Sequence, residues 1–131
     1  MSRTTMLLAA AALMLAAPLG AHAEDYASGT IKEMKTAKGD VLTDAKGMTL
    51  YVFDKDAKDT SNCYDECAKK WPPLTASASA KADGEFTLVT RKDGTKQWAH
   101  EGMPLYLWQA DKKPGDVTGD GVGGVWHVAK D

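Results

Sequence analysis

The chain has 131 residues, 16 of them Lys or Arg and 18 Asp or Glu, for a formal net charge of −2 at pH 7. That balance excludes the basic footprint a nucleic-acid-binding protein needs, and no polybasic segment points to a membrane surface. Acidic and basic residues are interspersed, the pattern of a solvated face.

The first 23 residues read as an address. Arg3 supplies a positive start, Met6 to Ala17 is an apolar run, Pro18 and Gly20 break it, and Ala21-His22-Ala23 gives a small-x-small cleavage pattern. The run is shorter than the ~20 apolar residues needed to span a bilayer, so a cleaved signal peptide over 1–23 is expected rather than stable membrane insertion. No Cys stands at the cleavage point to take a lipid. The expected product, 24–131, is a soluble, unlipidated protein of the periplasm or the extracellular space, short enough for one domain.

Within that product, residues 24–28 read as a loose start. Gly29 to Lys35 alternates enough for a strand, Lys38-Gly39-Asp40 is a turn, and Val41 to Thr43 a second strand. Asp44 to Gly47 forms a hairpin loop with Gly available for positive φ. Met48 to Phe53 is the clearest strand, with Met48, Leu50 and Val52 on one face and Tyr51 and Phe53 on the other. Both faces are apolar, which predicts a central strand covered on both sides.

Thr60-Ser61-Asn62 offers N-caps, Asp65 and Glu66 suit a first turn, Lys69 and Lys70 a last turn, and Pro72-Pro73 a stop. The spacing predicts a helix of about two turns at about 62–70, with Cys63 and Cys67 on one face. An Ala/Ser/Lys stretch, 75–82, reads as a linker. Phe86 to Thr90 is then a strand, Lys92 to Gly94 a turn, Lys96 to His100 a strand, and Met103 to Trp108 a second central strand after a turn at Gly102. Residues 112–124 are too rich in Gly and turn formers for a helix, and Val125 to Val128 closes the chain as a strand.

The two halves are copies. A shift of 55 positions carries Gly29 onto Gly84, Gly39 onto Gly94, Leu50 onto Leu105, Tyr51 onto Tyr106, Asp56 onto Asp111 and Trp71 onto Trp126. Such a repeat predicts two similar units around an approximate twofold. The expected fold is therefore mainly β: two pseudo-symmetric antiparallel β units, about 28–74 and 83–128, forming one domain with one short helix.

Cys63 and Cys67 are the only cysteines. An even count in an oxidising compartment reads first as a disulfide, and a redox-active or metal-binding pair is the alternative. The small loop puts the entropic gain from such a bridge near about 2 kcal/mol.

Tyr-x-aromatic-x-x-Asp occurs as Tyr51-Val52-Phe53-Asp54-Lys55-Asp56 and again as Tyr106-Leu107-Trp108-Gln109-Ala110-Asp111. With Cys63-x-x-x-Cys67 and Trp71-Pro72-Pro73-Leu74, the chain resembles the bacterial secreted repeat of unknown function, a family of predicted lipoproteins bearing this motif. The resemblance covers essentially all of residues 24–131. It implies a compartment and a two-repeat unit, and no catalytic activity; the absent lipid-attachment Cys is a departure from the pattern.

Tyr51, Phe53, Tyr106 and Trp108 read as cross-strand core pairs, or as an aromatic groove for a peptide, sugar or lipid headgroup that Trp71, Trp98 and Trp126 would enlarge. Asp56 and Asp111 read as turn formers, or as paired acceptors for a cation or basic partner. Asp116 to Gly121 resembles the opening of a calcium loop, but the twelfth position is His127 rather than Glu and no helices flank it. His100, His127 and Met103, with the other Met and Cys sulfurs, invite a copper reading, against a core-packing role for the Met residues. No hydrolase motif is present.

The leading functional expectation is a non-catalytic envelope protein that binds a partner protein or small ligand and needs no cofactor. Copper handling or electron transfer is the alternative, and an envelope hydrolase the second.

Overall fold

The computed structural model describes residues 25–131; the expected signal peptide, 1–23, lies outside them. In chain order the elements are β1 (Asp25–Tyr26), a 3₁₀ turn (Ala27–Gly29), β2 (Ile31–Thr36), β3 (Gly39–Asp44), β4 (Tyr51–Phe53) and α1 (Glu66–Lys70). They continue with β5 (Thr75–Ala76), β6 (Phe86–Thr90), β7 (Lys96–His100), β8 (Met103–Pro104), a second 3₁₀ turn (Val122–Gly124) and β9 (Trp126–Val128). The fold is mainly β, built from two repeats.

Each repeat opens with an antiparallel hairpin, β2 with β3 and β6 with β7. Gly39 and Gly94 hold equivalent positions in the two tight turns at φ +87° and +89°, a region glycine enters without a Cβ clash. The start of the described chain is not loose: Asp25 and Tyr26 pair with Lys32 and Ile31 as a third strand. The Tyr26 ring packs on Phe86 with centroids 4.8 Å apart, which anchors that strand.

The repeats meet along a seam of short strands. Tyr51 N–H donates to the Tyr106 carbonyl at 2.8 Å, and Tyr106 N–H returns a bond to the Tyr51 carbonyl at 2.9 Å. This reciprocal pair lies on the pseudo-twofold. On the other edge of β4 sits β9, with Tyr51 opposite Val128 and Phe53 opposite Trp126. The matching edge of the second copy is covered by the first copy's Pro72 to Leu74: Leu107 N–H donates to Pro72 O at 2.7 Å and Leu74 N–H to Leu105 O at 2.9 Å. The 55-residue shift carries Pro73 onto Val128, so the two arrangements are equivalent. The prolines bring no N–H to this edge and leave it with an isolated bridge rather than a regular ladder.

Each repeat therefore lends its last strand to the other. The exchange continues outward: Trp98 N–H donates to Leu74 O and Leu42 N–H to Ala129 O, at 2.9 and 2.8 Å. It also overturns part of the expected linker. Thr75 and Ala76 pair with Gln97 and Lys96 of β7, because the exchanged strand runs on beside the second hairpin before the chain turns away.

The expected central strands, 48–53 and 103–108, are interrupted. Thr49 bridges to Thr43 within the first repeat, after which Tyr51 bridges to Tyr106 across the seam. Each segment changes partners near Leu50 or Leu105. The alternation of faces holds nonetheless. Leu50 and Leu105 belong to one core with Ile31, Leu42, Phe86 and Trp98. Tyr51, Phe53, Tyr106, Trp71, Trp126 and Cys63 form a second, largely aromatic core.

The helix is shorter than expected. It starts at Glu66, behind Asp65 at φ 54°, so Cys63 precedes it rather than sharing its face. Cys63 and Cys67 are joined in a disulfide with their Cα atoms 5.2 Å apart. The expected cap side chains are used elsewhere: Asn62 Nδ2 donates to Lys55 O at 2.8 Å, Thr60 Oγ1 to Lys58 O at 3.3 Å, and Ser61 Oγ lies 2.6 Å from the Tyr106 hydroxyl. As expected, the second repeat has no α-helix over 112–124.

Candidate functional site

The paired motif is a reciprocal lock across the seam. The Tyr51 hydroxyl donates to Asp111 Oδ2 at 2.7 Å, and the Tyr106 hydroxyl donates to Asp56 Oδ2 at 2.7 Å. Each repeat's tyrosine is thus held by the other repeat's aspartate. The second oxygen of each carboxylate gathers local donors: Asn62 N–H on Asp56 at 2.6 Å, and Thr118 N–H and Oγ1 on Asp111 at 3.0 and 2.6 Å. The aspartates accept from local backbone donors, as turn formers do, and their other oxygens face inward to the tyrosines rather than outward to a cation or basic partner, at 9 % and 7 % exposure.

Around Tyr106 the network extends through Ser61 to Arg91 and Gln97, which carried no signal in the sequence. Arg91 is buried and donates to Ser61 Oγ at 3.0 Å, Gln97 Oε1 at 2.7 Å and Cys63 O at 2.8 Å. Ser61 Oγ also accepts from Cys63 N–H at 3.3 Å, so its own proton goes to the Tyr106 oxygen, and the Tyr106 proton goes to Asp56. A directed chain of donors, Arg91 to Ser61 to Tyr106 to Asp56, results. Burial pushes the Asp56 carboxyl above its ordinary range, against the Asn62 and Tyr106 hydrogen bonds and the Arg91 charge, which pull it down. Thr36 stands where Arg91 would have its equivalent, and Tyr51 instead accepts Gly119 N–H at 3.1 Å.

Burial, with Asp111 and Asp56 beside them, raises the ionisation of Tyr51 and Tyr106 far above the ordinary tyrosine range. A raised folded-state pKa stabilises the fold below about pH 10, the unfolded value, and that stabilisation is lost as pH rises beyond it. In an alkaline absorbance titration, two of the four tyrosines should ionise only as near-UV circular dichroism collapses. Ionisation of all four with the fold intact would contradict the buried lock.

The aromatics form a stack with the same pseudo-symmetry. Phe53, Trp126, Trp71 and Trp108 lie ring on ring, with successive centroids 4.1, 3.8 and 3.9 Å apart. Tyr51 meets Trp71 edge-on, and Tyr106 meets Trp126 likewise. Trp71, Trp98 and Trp126 are 4, 3 and 5 % exposed, which corrects the expectation of an open tryptophan groove; Trp98 moreover belongs to the other core. Stacking and exclusion of water place these rings inside, and Trp108, at the end of the stack, stays half-buried.

Gly119 makes this packing fit. A Cβ there would lie 2.8 Å from Trp71, 2.9 Å from Tyr51 and 3.0 Å from Trp108. Gly119→Ala is expected to destabilise the protein by about 1–3 kcal/mol through overpacking, measured by urea denaturation; an unchanged midpoint would contradict the contact. The calcium-loop reading of 116–121 finds its oxygens already used. Asp116 accepts Lys112 N–H and Lys113 N–H, Thr118 caps Asp111, and Asp120 accepts Val128 N–H.

The disulfide withholds both cysteine sulfurs from the copper reading, while Met103 lies beside His100 in the β7–β8 pairing. His127 Nε2 lies 2.8 Å from Asp54 on the half-exposed face of β9, far along the sequence from His100. His100 is buried and faces Glu85 and Asp131. The buried Ser61 is engaged with Tyr106 and Arg91 rather than with a histidine.

A cleft of about 510 Å³ lies between the 3₁₀ turn after β1 and the segment following β5. Ser28, Thr30, Ser77, Ser79, Lys81 and Trp98 are among its lining residues. Asp83 fixes one wall by accepting Ala27 N–H at 2.8 Å. Ala27 and Ser28 hold φ of 51° and 59° there, a conformation costing non-glycine residues roughly 1–3 kcal/mol and concentrated at functional sites.

A strand-exchanged tandem repeat, locked by crossed Tyr–Asp bonds, is the class of protein this geometry defines. The chain belongs to the family described as a secreted repeat of unknown function, whose model matches it twice, at residues 32–75 and 87–130. No curated protein and no solved structure matches the chain. Among the described residues no helix is long and apolar enough to cross a membrane.

Proposed function

We propose that this protein is a non-catalytic secreted binding module that holds a small polar ligand in the cleft over Trp98. It works in the periplasm or outside the cell, unlipidated, after removal of residues 1–23. The observation carrying this reading is the cleft itself: about 510 Å³ falls in the size range of small-molecule sites, which pair apolar or aromatic lining with a few placed polar groups. Serine and threonine hydroxyls both donate and accept, and Lys81 supplies a cation. Trp98, only 3 % exposed, closes the floor of the cleft, so the polar rim supplies the contacts and suits a hydroxyl-bearing ligand. The motif residues support the reading indirectly, since their hydroxyls, carboxylates and rings are committed to the interior and the binding surface must lie elsewhere.

Titration with a panel of oligosaccharides, followed by amide and indole NMR shifts, tests this. The expected result is shifts confined to the Trp98 indole and the segments 27–30 and 77–83. Ser79→Trp, at an exposed position on the rim, should abolish them while leaving the melting temperature unchanged. Silence across the panel, or undiminished binding by Ser79→Trp, would contradict the assignment.

A further inference from the structure

We propose that Glu85, His100 and Asp131 form a binding site for a first-row divalent cation of the zinc type. The three residues come from separate parts of the fold: the turn before β6, the end of β7 and the segment after β9. Their ligand atoms all lie within 4.8 Å of one another. His100 Nε2 stands 3.2 Å from Glu85 Oε1 and 3.2 Å from Asp131 Oδ1.

One imidazole nitrogen carries at most one proton, so it cannot give a full hydrogen bond to both oxygens. The spacing suits a metal better. With zinc–nitrogen and zinc–oxygen bonds of about 2.0–2.1 Å, neighbouring donors on a tetrahedron are roughly 3.3 Å apart. The donor chemistry agrees: a borderline nitrogen with two hard oxygens fits zinc and its neighbours better than monovalent copper, which prefers sulfur to carboxylate.

The supporting contacts are those of a pre-arranged ligand set. The His100 side chain is only 6 % exposed, and Phe86 packs against its ring with centroids 4.8 Å apart. Tyr26 donates to Asp131 Oδ2 at 2.9 Å, which leaves Oδ1 turned to His100. Such partners orient metal-binding carboxylates, and their loss commonly weakens metal binding tenfold or more. Glu85 is 56 % exposed and borders a cavity of about 490 Å³ that it shares with Lys58, Asp59 and Glu101, a route from solvent on which acidic groups outnumber the one lysine.

Calorimetric titration of the metal-stripped full-length secreted protein with zinc chloride tests the site, with cobalt(II) absorption and the His100 ring resonances as second readouts. One ion per chain is expected, with the His100 ring perturbed and cobalt bands of nitrogen–oxygen coordination. Glu85→Gln and Asp131→Asn should each weaken binding at least tenfold. His127→Ala should leave it unchanged. Should His100→Gln fail to fold, the exposed Glu85→Gln still decides the matter. No binding by the wild-type protein, or equal affinity in Glu85→Gln and Asp131→Asn, would overturn the proposal, as would loss of binding in His127→Ala.

Discussion

Trp71→Ala and Trp126→Ala are each expected to lower the unfolding free energy by about 3–5 kcal/mol, the range for truncating a buried Phe or Trp. Both rings are nearly inaccessible, 4 % and 5 % exposed. They stack on each other at 3.8 Å with planes 2° apart. Each also carries one outer ring, Trp108 or Phe53, and one edge-on tyrosine. Because the 55-residue shift exchanges one Trp environment for the other, the two losses should be of similar size. Urea unfolding followed by far-UV circular dichroism measures them. A full loss at one tryptophan and less than about 1 kcal/mol at the other would contradict the symmetry of the stack.

Leu50→Ala and Leu105→Ala should each cost about 2–5 kcal/mol, as buried leucine truncations do. Both side chains are completely inaccessible and lie in the core that contains residues of both repeats, from Ile31 and Leu42 to Phe86 and Trp98. Both also sit where their segments change partners, from their own hairpin to the seam. A cavity there is shared by the two repeats, so each variant should still unfold in one transition with an unchanged denaturant slope. A loss under about 0.5 kcal/mol at both positions, or two separated transitions, would contradict burial in a common core.

The division of these residues between two cores was legible in the sequence. Period-two alternation placed Leu50 and Tyr51 on opposite faces, and the repeat offset did the same for Leu105 and Tyr106. The disulfide followed from count and compartment. The strand exchange was not legible. Pro72-Pro73 reads locally as a helix stop, and only the tertiary fold reveals that the next residues leave for the other repeat's edge. Thr60 to Asn62 has the composition of a helix cap, but the Ser61 hydroxyl is engaged with Tyr106 and the Asn62 amide with Lys55 O. Arg91 stands beside the charged turn Lys92-Asp93-Gly94 and looks solvated, though it is buried against Ser61, Gln97 and Cys63 O.

These differences change what the motif means. Tyr51, Asp56, Tyr106 and Asp111 are architectural, since each hydroxyl is spent on a carboxylate of the opposite repeat. A tyrosine and an aspartate of one repeat do not satisfy one another, so the motif requires two copies. The surface left free by this arrangement, the cleft beside Trp98 and the Glu85–His100–Asp131 cluster, owes nothing to the twofold. Glu85 and His100 correspond to Thr30 and Ala45 in the first repeat. Duplication built the frame, and one-sided substitutions could then specialise its outside.

Paired double-mutant cycles ask most directly whether the motif works across the repeats. The expected result is coupling of about 0.5–3 kcal/mol for Tyr106→Phe with Asp56→Ala, and again for Tyr51→Phe with Asp111→Ala. Tyr51 combined with Asp56, or Tyr106 with Asp111, should be additive within about 0.5 kcal/mol. Strong coupling inside each repeat and none between them would contradict the exchanged architecture.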